Sequence, residues 1–208
     1  NKFLKDNNLK IIYVDVGARE DLSGMWKKME NNLNVIGFES DPVETQLLNK
    51  KYPLRKYYPF GLWSSKKKKD LYITLDPSSS SLYKPNLIRN ALFKDSCHNF
   101  RKISKKISVD CDTIDSVNLK TIDFLKIDTQ GSEFEILAGA TKLLINNIPL
   151  VTCETWTSEV YEKTPLMHKI IELMYDNGYE ILDMELCHSS KHKNDIESFS
   201  KAISGGYE

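Results

Sequence analysis

Five acidic side chains and one glycine carry the chemistry this sequence can offer. Asp15 stands in Asp15-Val16-Gly17-Ala18, at the end of the apolar run Lys10 to Val16. Glu39 closes a second run, Asn34 to Glu39, 22 residues after Gly17. Glycine at such a turn lets backbone N–H groups approach a ligand with no Cβ in the way. An acid ending the second strand of a nucleotide-binding fold accepts both ribose hydroxyls. Together they imply a cofactor that contains a nucleoside. Farther on, Asp128 ends Ile122 to Asp128, Glu133 opens the next segment, and Glu154 lies near the end of Pro149 to Thr155. A carboxylate at a reacting centre can accept the proton of an acceptor hydroxyl. Asp128 is the first choice for that work, Glu133 the second and Glu154 the third. The structural alternative for Glu133 and Glu135 is favourable charge at a helix N-terminus. No histidine falls at these strand ends, so a histidine base is not expected.

A dinucleotide site wants G-x-G-x-x-G, so that a helix N-terminus can hold the pyrophosphate. Here Gly17 is followed by Ala18-Arg19-Glu20-Asp21, and the next glycine is Gly24. Two acids where a pyrophosphate would lie are electrostatically wrong for it, but they would tolerate a cationic ligand such as a sulfonium. No P-loop motif is present. Twenty-nine basic residues cancel 29 acidic ones, which argues against a dedicated nucleic-acid binder. No apolar run reaches 18 residues, so no membrane span is expected. Asn1 to Lys10 has no apolar stretch of signal-peptide length, and starting on Asn1 suits a processed chain or a piece of a longer one. Cys97, Cys111, Cys153 and Cys187 form no C-x-x-C pair, which reads as reduced thiols in a cytoplasmic protein. Cys187, His188 and His192 could supply three soft ligands, but a polar, lysine-rich connection is the reading adopted and no metal site is expected.

The elements that must position these residues follow from the hydrophobic pattern. Lys10 to Val16, Asn34 to Glu39, Ile122 to Asp128 and Pro149 to Thr155 are short runs apolar on both faces, as central parallel strands are. Leu22, Met25, Trp26, Met29 and Leu33 recur at helical spacing. Asp41-Pro42-Val43-Glu44 predicts a capped helix start with Val43 and Leu47 on the buried stripe. Arg55 to Trp63 and Asp70 to Leu75 read as strands, with Lys66 to Lys69 at a solvated hairpin tip and Asp76 to Ser81 in a loop. A short helix follows Pro85, and Lys106 to Cys111 is another strand. Ser132 with Glu135 predicts a capping box on a helix running through Phe134, Leu137, Ala138, Leu144 and Ile145. Thr164-Pro165 opens a helix stopped by Gly178. Tyr179 to Leu186 and Ser198 to Ile203 are further strand candidates. The result is one α/β domain over residues 1–208, its core at 10–186, with a doubly wound, mostly parallel sheet and a hairpin or loop insertion around 64–110.

The chain resembles the FkbM-type S-adenosylmethionine-dependent methyltransferases of the class I, Rossmann-like fold. The likeness lies in Val14-Asp15-Val16-Gly17-Ala18-Arg19, Gly37-Phe38-Glu39-Ser40-Asp41-Pro42, Ser79 to Asn86, Cys111 to Asp115, and most specifically Ile122 to Leu137. Val160-Tyr161 through Gly178-Tyr179 is similar to the family's C-terminal region. The resemblance implies S-adenosylmethionine as cofactor, with Asp15, Gly17 and Ala18 at its aminoacid end and Glu39, beside Ser40, on the ribose. Phe60 and Gly61 would flank the adenine, Ser80 and Ser81 would lie over cofactor or substrate, and Asp128 would face the transferable methyl. It implies O-methylation of a hydroxyl on a sugar, glycan or small natural product. Two other functions fit parts of the pattern. An NAD-linked oxidoreductase would share the fold but lacks the glycine fingerprint and a Tyr-x-x-x-Lys pair. A catalytically inactive nucleoside-binding module of a longer protein is the second. Oligomeric state has no signature here.

Overall fold

The apolar runs become strands because they bury both faces. The computed structural model describes residues 2–93, 97–119, 121–146, 148–185 and 206–207. In chain order the elements are α1 (Lys2–Asp6), β1 (Ile11–Val16), α2 (Gly24–Lys28), β2 (Leu33–Phe38), α3 (Pro42–Lys51) and β3 (Lys56–Tyr58). There follow β4 (Gly61–Leu62), β5 (Lys67–Thr74), α4 (Leu87–Asn90), α5 (Cys97–Phe100) and β6 (Ile103–Asp112). The second half holds β7 (Phe124–Ile127), α6 (Glu133–Ala138), α7 (Thr141–Asn146), β8 (Val151–Cys153), β9 (Thr155–Trp156), α8 (Met167–Asp176) and β10 (Gly206–Tyr207).

Five strands form a parallel sheet in the order β3-β2-β1-β7-β8. The chain steps outward from β1 to β3, then returns on the other side of β1 as β7 and β8. Strand order therefore reverses between β1 and β7, where Asp15 pairs with Lys126 and Val16 with Ile127. Val14, Val16, Phe38, Leu125 and Ile127 form the central core with Ile136, Leu137 and Ile170 from the covering helices. The expected insertion is a second sheet, β4-β6-β5, in which β5 runs antiparallel to β6.

Several elements depart from the sequence reading. The helix expected over Leu22 to Leu33 is only α2 and a following 3-10 turn. Trp26 turns onto Tyr13 and Phe124, 4.8 and 4.3 Å between ring centroids, and Leu33 already belongs to β2. On α3, Val43 and Leu47 are 64% and 56% exposed, and Thr45 and Leu48 are buried instead. The Thr45 hydroxyl lies 3.0 Å from the Glu39 and Asp41 carbonyls and fixes the helix's rotation. Arg55 to Trp63 divides into β3 and β4, in different sheets. Lys67 to Lys69 are not a hairpin tip but the start of β5. Alternation places Lys67 and Lys69 on the apolar face, with their ammonium groups 5.2 and 3.7 Å from the Trp63 ring centroid. Asp76 to Ser81 is more ordered than a loop: Asp76 caps a 3-10 turn over Pro77–Ser79. The helix expected after Ser132 divides into α6 and α7, because Asp115 caps the N–H groups of Lys142 and Leu143 and starts a new helix there. Residues 179–185 form no strand. Leu186, Cys187, His188, His192 and Ser198 to Ile203 lie outside the described residues, while β10 pairs antiparallel with β9.

Candidate active site

In open α/β sheets, ligands bind beyond the carboxyl ends of the strands where strand order reverses. A cleft of about 570 Å³, partly open to solvent, lies there. Of the residues singled out from sequence, Gly17, Glu39, Ser40, Phe60, Ser80, Ser81 and Asp128 line it. Asp15, Ala18, Gly61, Glu133 and Glu154 stand behind its walls.

Gly17 is demanded by backbone packing. Its φ is +84°, and a Cβ would come 1.9 Å from the Asp128 carbonyl oxygen. The N–H groups of Gly17 and Ala18 both donate to the Phe38 carbonyl, at 2.9 and 3.2 Å. They are therefore committed to joining β1 to β2, and the expectation that this turn turns its N–H groups toward a ligand is corrected. Glu20 is exposed and Asp21 is drawn away by Lys27 and Arg55, at 2.8 and 2.9 Å. The acids expected beside the ligand do not line the cleft. Arg19 does.

Glu39 is buried. Its Oε1 accepts the Asp41 N–H at 2.8 Å, while Oε2 faces the Arg19 guanidinium at 3.8 Å. Burial pushes its carboxyl up, opposed by the Asp41 N–H and Arg19. The N-terminus of α3 is thus capped from both sides, by the Asp41 side chain on Val43 N–H and by Glu39, and the expected reciprocal bond from Glu44 is replaced.

Asp128 directly follows β7 and has both oxygens engaged. Oδ2 is 3.6 Å from Lys126 Nζ, and Oδ1 accepts from Gln130 Nε2 at 3.2 Å. Lys126 also meets Asp15 at 3.3 Å. Burial works against the Lys126 charge, but Asp15 and Asp128 together hold the ammonium protonated well above its usual range. Asp15 is therefore the buried partner of a half-buried lysine. Glu154 is buried and reaches the same Gln130 Nε2 at 2.6 Å.

Phe60 packs edge-on against Phe38, 5.5 Å between centroids, and forms an apolar wall. Gly61 sits against Cys111 and the Ser40 hydroxyl. Ser80 Oγ accepts the Thr74 N–H, and Ser81 Oγ donates to the Gln130 carbonyl at 2.7 Å. Ser132 lines the cleft at 0% exposure, with a hydroxyl that has no partner. It makes no side-chain cap for α6, and Glu135 instead takes the hydroxyls of Ser64 and Tyr83. Buried polar atoms are rarely left unmatched, and among the described residues this hydroxyl is the one such atom on a residue that lines the cleft. Arg19, Lys126, Gln130 and Ser132 carry no sequence periodicity that would single them out. A lysine inside an apolar strand was the one available signal. Among the described residues, no group of three or more His, Cys, Asp or Glu is gathered to hold a metal.

Glu133 lies beneath the turn after β7. Its Oε1 accepts from Thr129 N–H and Oγ1, both at 2.9 Å, and from Gly131 N–H at 3.2 Å. Burial pushes its carboxyl from the ordinary 4.5 up to about 7, against these donors. A carboxyl raised in the folded state contributes stability that is complete below 4.5 and lost as pH rises through about 7. Between pH 5 and 8 this group is expected to cost the folded state about 2–3 kcal/mol. Glu133→Gln keeps an oxygen for the turn and removes the charge. Its melting temperature should exceed the wild type's at pH 8, with the gap closing toward pH 5. A gap of constant size across that range would refute the assignment.

The methyltransferase FkbM domain family model matches residues 15–181 of the chain. Among solved structures, a methyltransferase FkbM from Methylobacillus flagellatus KT superposes with a TM-score of 0.55 at 16% identity. The match covers 95% of this chain and 43% of that one, so this chain spans less than half the neighbour's length. At that identity the likeness is one of fold. No curated protein matches the chain significantly.

Proposed function

Because the chain belongs to the FkbM methyltransferase family, we propose that it moves a methyl group from S-adenosylmethionine to a hydroxyl of a sugar, glycan or similar small molecule. The observation that carries the reading is the cleft at the strand-order reversal, with the buried Glu39 and the half-buried Asp128 in its lining and the unpartnered Ser132 hydroxyl in its wall. Those groups suit a nucleoside sulfonium. Glu39 Oε2 would accept from the ribose, the Phe60 and Phe38 rings would lie along the adenine, and Ser132 would take a polar atom of the cofactor. Asp15 would act through Lys126 rather than by touching the aminoacid end. When bound, the cofactor supplies an electrophilic methyl on a positively charged sulfur.

The protein's own work is positioning. Methyl transfer is a displacement, so holding the acceptor oxygen in line supplies much of the rate. Asp128 would orient the acceptor hydroxyl and accept its proton, with Glu154 held to the same amide beside it. Glu133, tied under the turn, would fix that turn rather than meet substrate. The NAD-linked reading is weakened by the Gly17 and Ala18 N–H groups, which a pyrophosphate would need and Phe38 already occupies.

Calorimetry with S-adenosylmethionine, S-adenosylhomocysteine and NAD tests the cofactor, and binding of NAD alone would sink the proposal. Glu39→Ala is expected to weaken S-adenosylhomocysteine by about 1–3 kcal/mol, as a charged hydrogen bond is lost. Unchanged affinity would move the ribose contact elsewhere. Labelled S-adenosylmethionine offered with a panel of hydroxylated saccharides tests the acceptor class; methylation confined to amines or thiols would refute it.

A further inference from the structure

Gln130 occupies a position the proposed chemistry leaves unexplained. Its backbone is left-handed, with φ +59°, a conformation a non-glycine residue keeps only where its surroundings over-determine it. Its Nε2 donates to Asp128 Oδ1 at 3.2 Å and to Glu154 Oε2 at 2.6 Å. Its Oε1 accepts from the Tyr161 hydroxyl at 2.8 Å, and its carbonyl accepts from Ser81 Oγ at 2.7 Å. Two carboxylates can only accept, so they dictate which end of the amide faces them. Both amide protons are then used, and the oxygen is left for Tyr161.

Tyr161 is fully buried and extends the connection. Its hydroxyl also lies 2.9 Å from the Ser79 carbonyl and receives Arg101 Nε at 3.3 Å. Ser79 ends the turn that Ser80 and Ser81 follow, and both of those line the cleft. One side chain therefore touches the ends of two adjacent strands and, through one phenol, the turn that precedes Ser80 and Ser81.

We propose that Gln130 is a positioning residue that holds Asp128 and Glu154 in one arrangement and couples them, through Tyr161, to the Pro77–Ser79 turn. The proposal rests on the methyltransferase site described above. Two carboxylates on neighbouring strand ends repel, and the shared donor, together with Lys126 at 3.6 Å from Asp128, offsets that repulsion. With that donor, Asp128 keeps one orientation toward the cleft, and the carboxylates and the Pro77–Ser79 turn share one hydrogen-bonded connection.

Three variants separate this from a merely structural role. Gln130→Met keeps length and removes every side-chain hydrogen bond; Gln130→Glu keeps an acceptor for Tyr161 but adds a third carboxylate. Tyr161→Phe keeps the ring and removes the one hydroxyl that Gln130 Oε1, the Ser79 carbonyl and Arg101 share, leaving the Gln130 amide on both carboxylates. Calorimetry on the whole chain compares S-adenosylmethionine with S-adenosylhomocysteine, which lacks the positive charge. Gln130→Met should reduce the preference for the charged ligand about fivefold while S-adenosylhomocysteine binding stays within about threefold. Gln130→Glu should raise the preference, a result packing alone would not give. Hydrogen exchange on the ligand-free protein supplies the second measurement. Tyr161→Phe should speed exchange in residues 79–81 and 128–131 together, by about tenfold. An unchanged ligand preference in Gln130→Met, or faster exchange in one segment only, overturns the proposal. Should the wild type bind neither ligand, the cofactor reading fails, and the exchange result alone decides the role of Gln130. Should Gln130→Met not fold, Tyr161→Phe and Gln130→Glu decide it.

Discussion

Asp128→Asn is expected to lower the maximal rate of methyl transfer by about 10²–10⁴ while S-adenosylhomocysteine binds as it does to the wild type. Asp128 directly follows β7, beside β1 at the reversal of strand order, and lines the cleft. The substitution keeps an oxygen for Gln130 but removes the charge that faces Lys126 at 3.6 Å. Three roles predict three patterns. A base that takes the acceptor's proton affects turnover and leaves both ligands bound. A counter-charge to the sulfonium affects S-adenosylmethionine affinity more than that of the neutral-sulfur product. A group that only orders the turn affects stability, and both ligands weaken together. Rates with an accepted saccharide and calorimetry with both ligands distinguish them. If the variant folds and neither rate nor affinity changes, Asp128 has no part in the site.

The reversal of strand order was legible in the sequence because it depends on apolar runs that bury both faces, and such runs have few alternatives. The acids at strand ends were legible for the same reason: Asp15, Glu39, Asp128 and Glu154 each interrupt or close a run that is otherwise apolar. What each acid touches was not legible. Asp15 is paired with Lys126, more than a hundred residues away in sequence and beside it on the neighbouring strand. The turn after β1 misled in a similar way. Asp21 is turned aside by Arg55, and Arg19 takes the place in the cleft wall that the two acids were given. Helix faces failed where a polar bond outweighed apolar spacing, as at Thr45 on α3. The lysines of β5 failed because their aliphatic stems can cover an aromatic ring, which makes a basic run compatible with a half-buried strand. Tertiary partners decided each of these, and a single sequence does not reveal them.

Gly17→Ala is expected to cost about 4 kcal/mol of stability, from two sources that a control can separate. One is conformational: at φ +84° an L side chain is disfavoured by about 1 kcal/mol. The other is overlap, because the new methyl would lie 1.9 Å from the Asp128 carbonyl oxygen and 2.8 Å from its carbon. Overpacking usually costs about 1–3 kcal/mol, and more where neighbours cannot yield. Here they cannot easily do so. The Asp128 N–H is bonded to the Val16 carbonyl at 2.9 Å, and the Gly17 N–H to Phe38 at 2.9 Å, so both sides of the contact are pinned by the sheet. Gly178 has the same φ of +84° with nothing within 4 Å of its missing Cβ, so Gly178→Ala should cost only the conformational part. Urea unfolding of the two variants, with equal slopes, would measure the difference as a shift in midpoint. Since domains of this kind hold about 5–15 kcal/mol in all, Gly17→Ala should lose between about a quarter and four-fifths of that stability, while Gly178→Ala keeps most of it. Any folded fraction of Gly17→Ala has to move the Asp128 backbone away from β1, carrying the carboxylate out of the cleft. It should therefore bind S-adenosylhomocysteine weakly even when saturating ligand rescues its fold. Equal midpoints for the two variants would mean that Gly17 serves only its turn, and that the join between β1 and β7 is looser than the 1.9 Å approach requires.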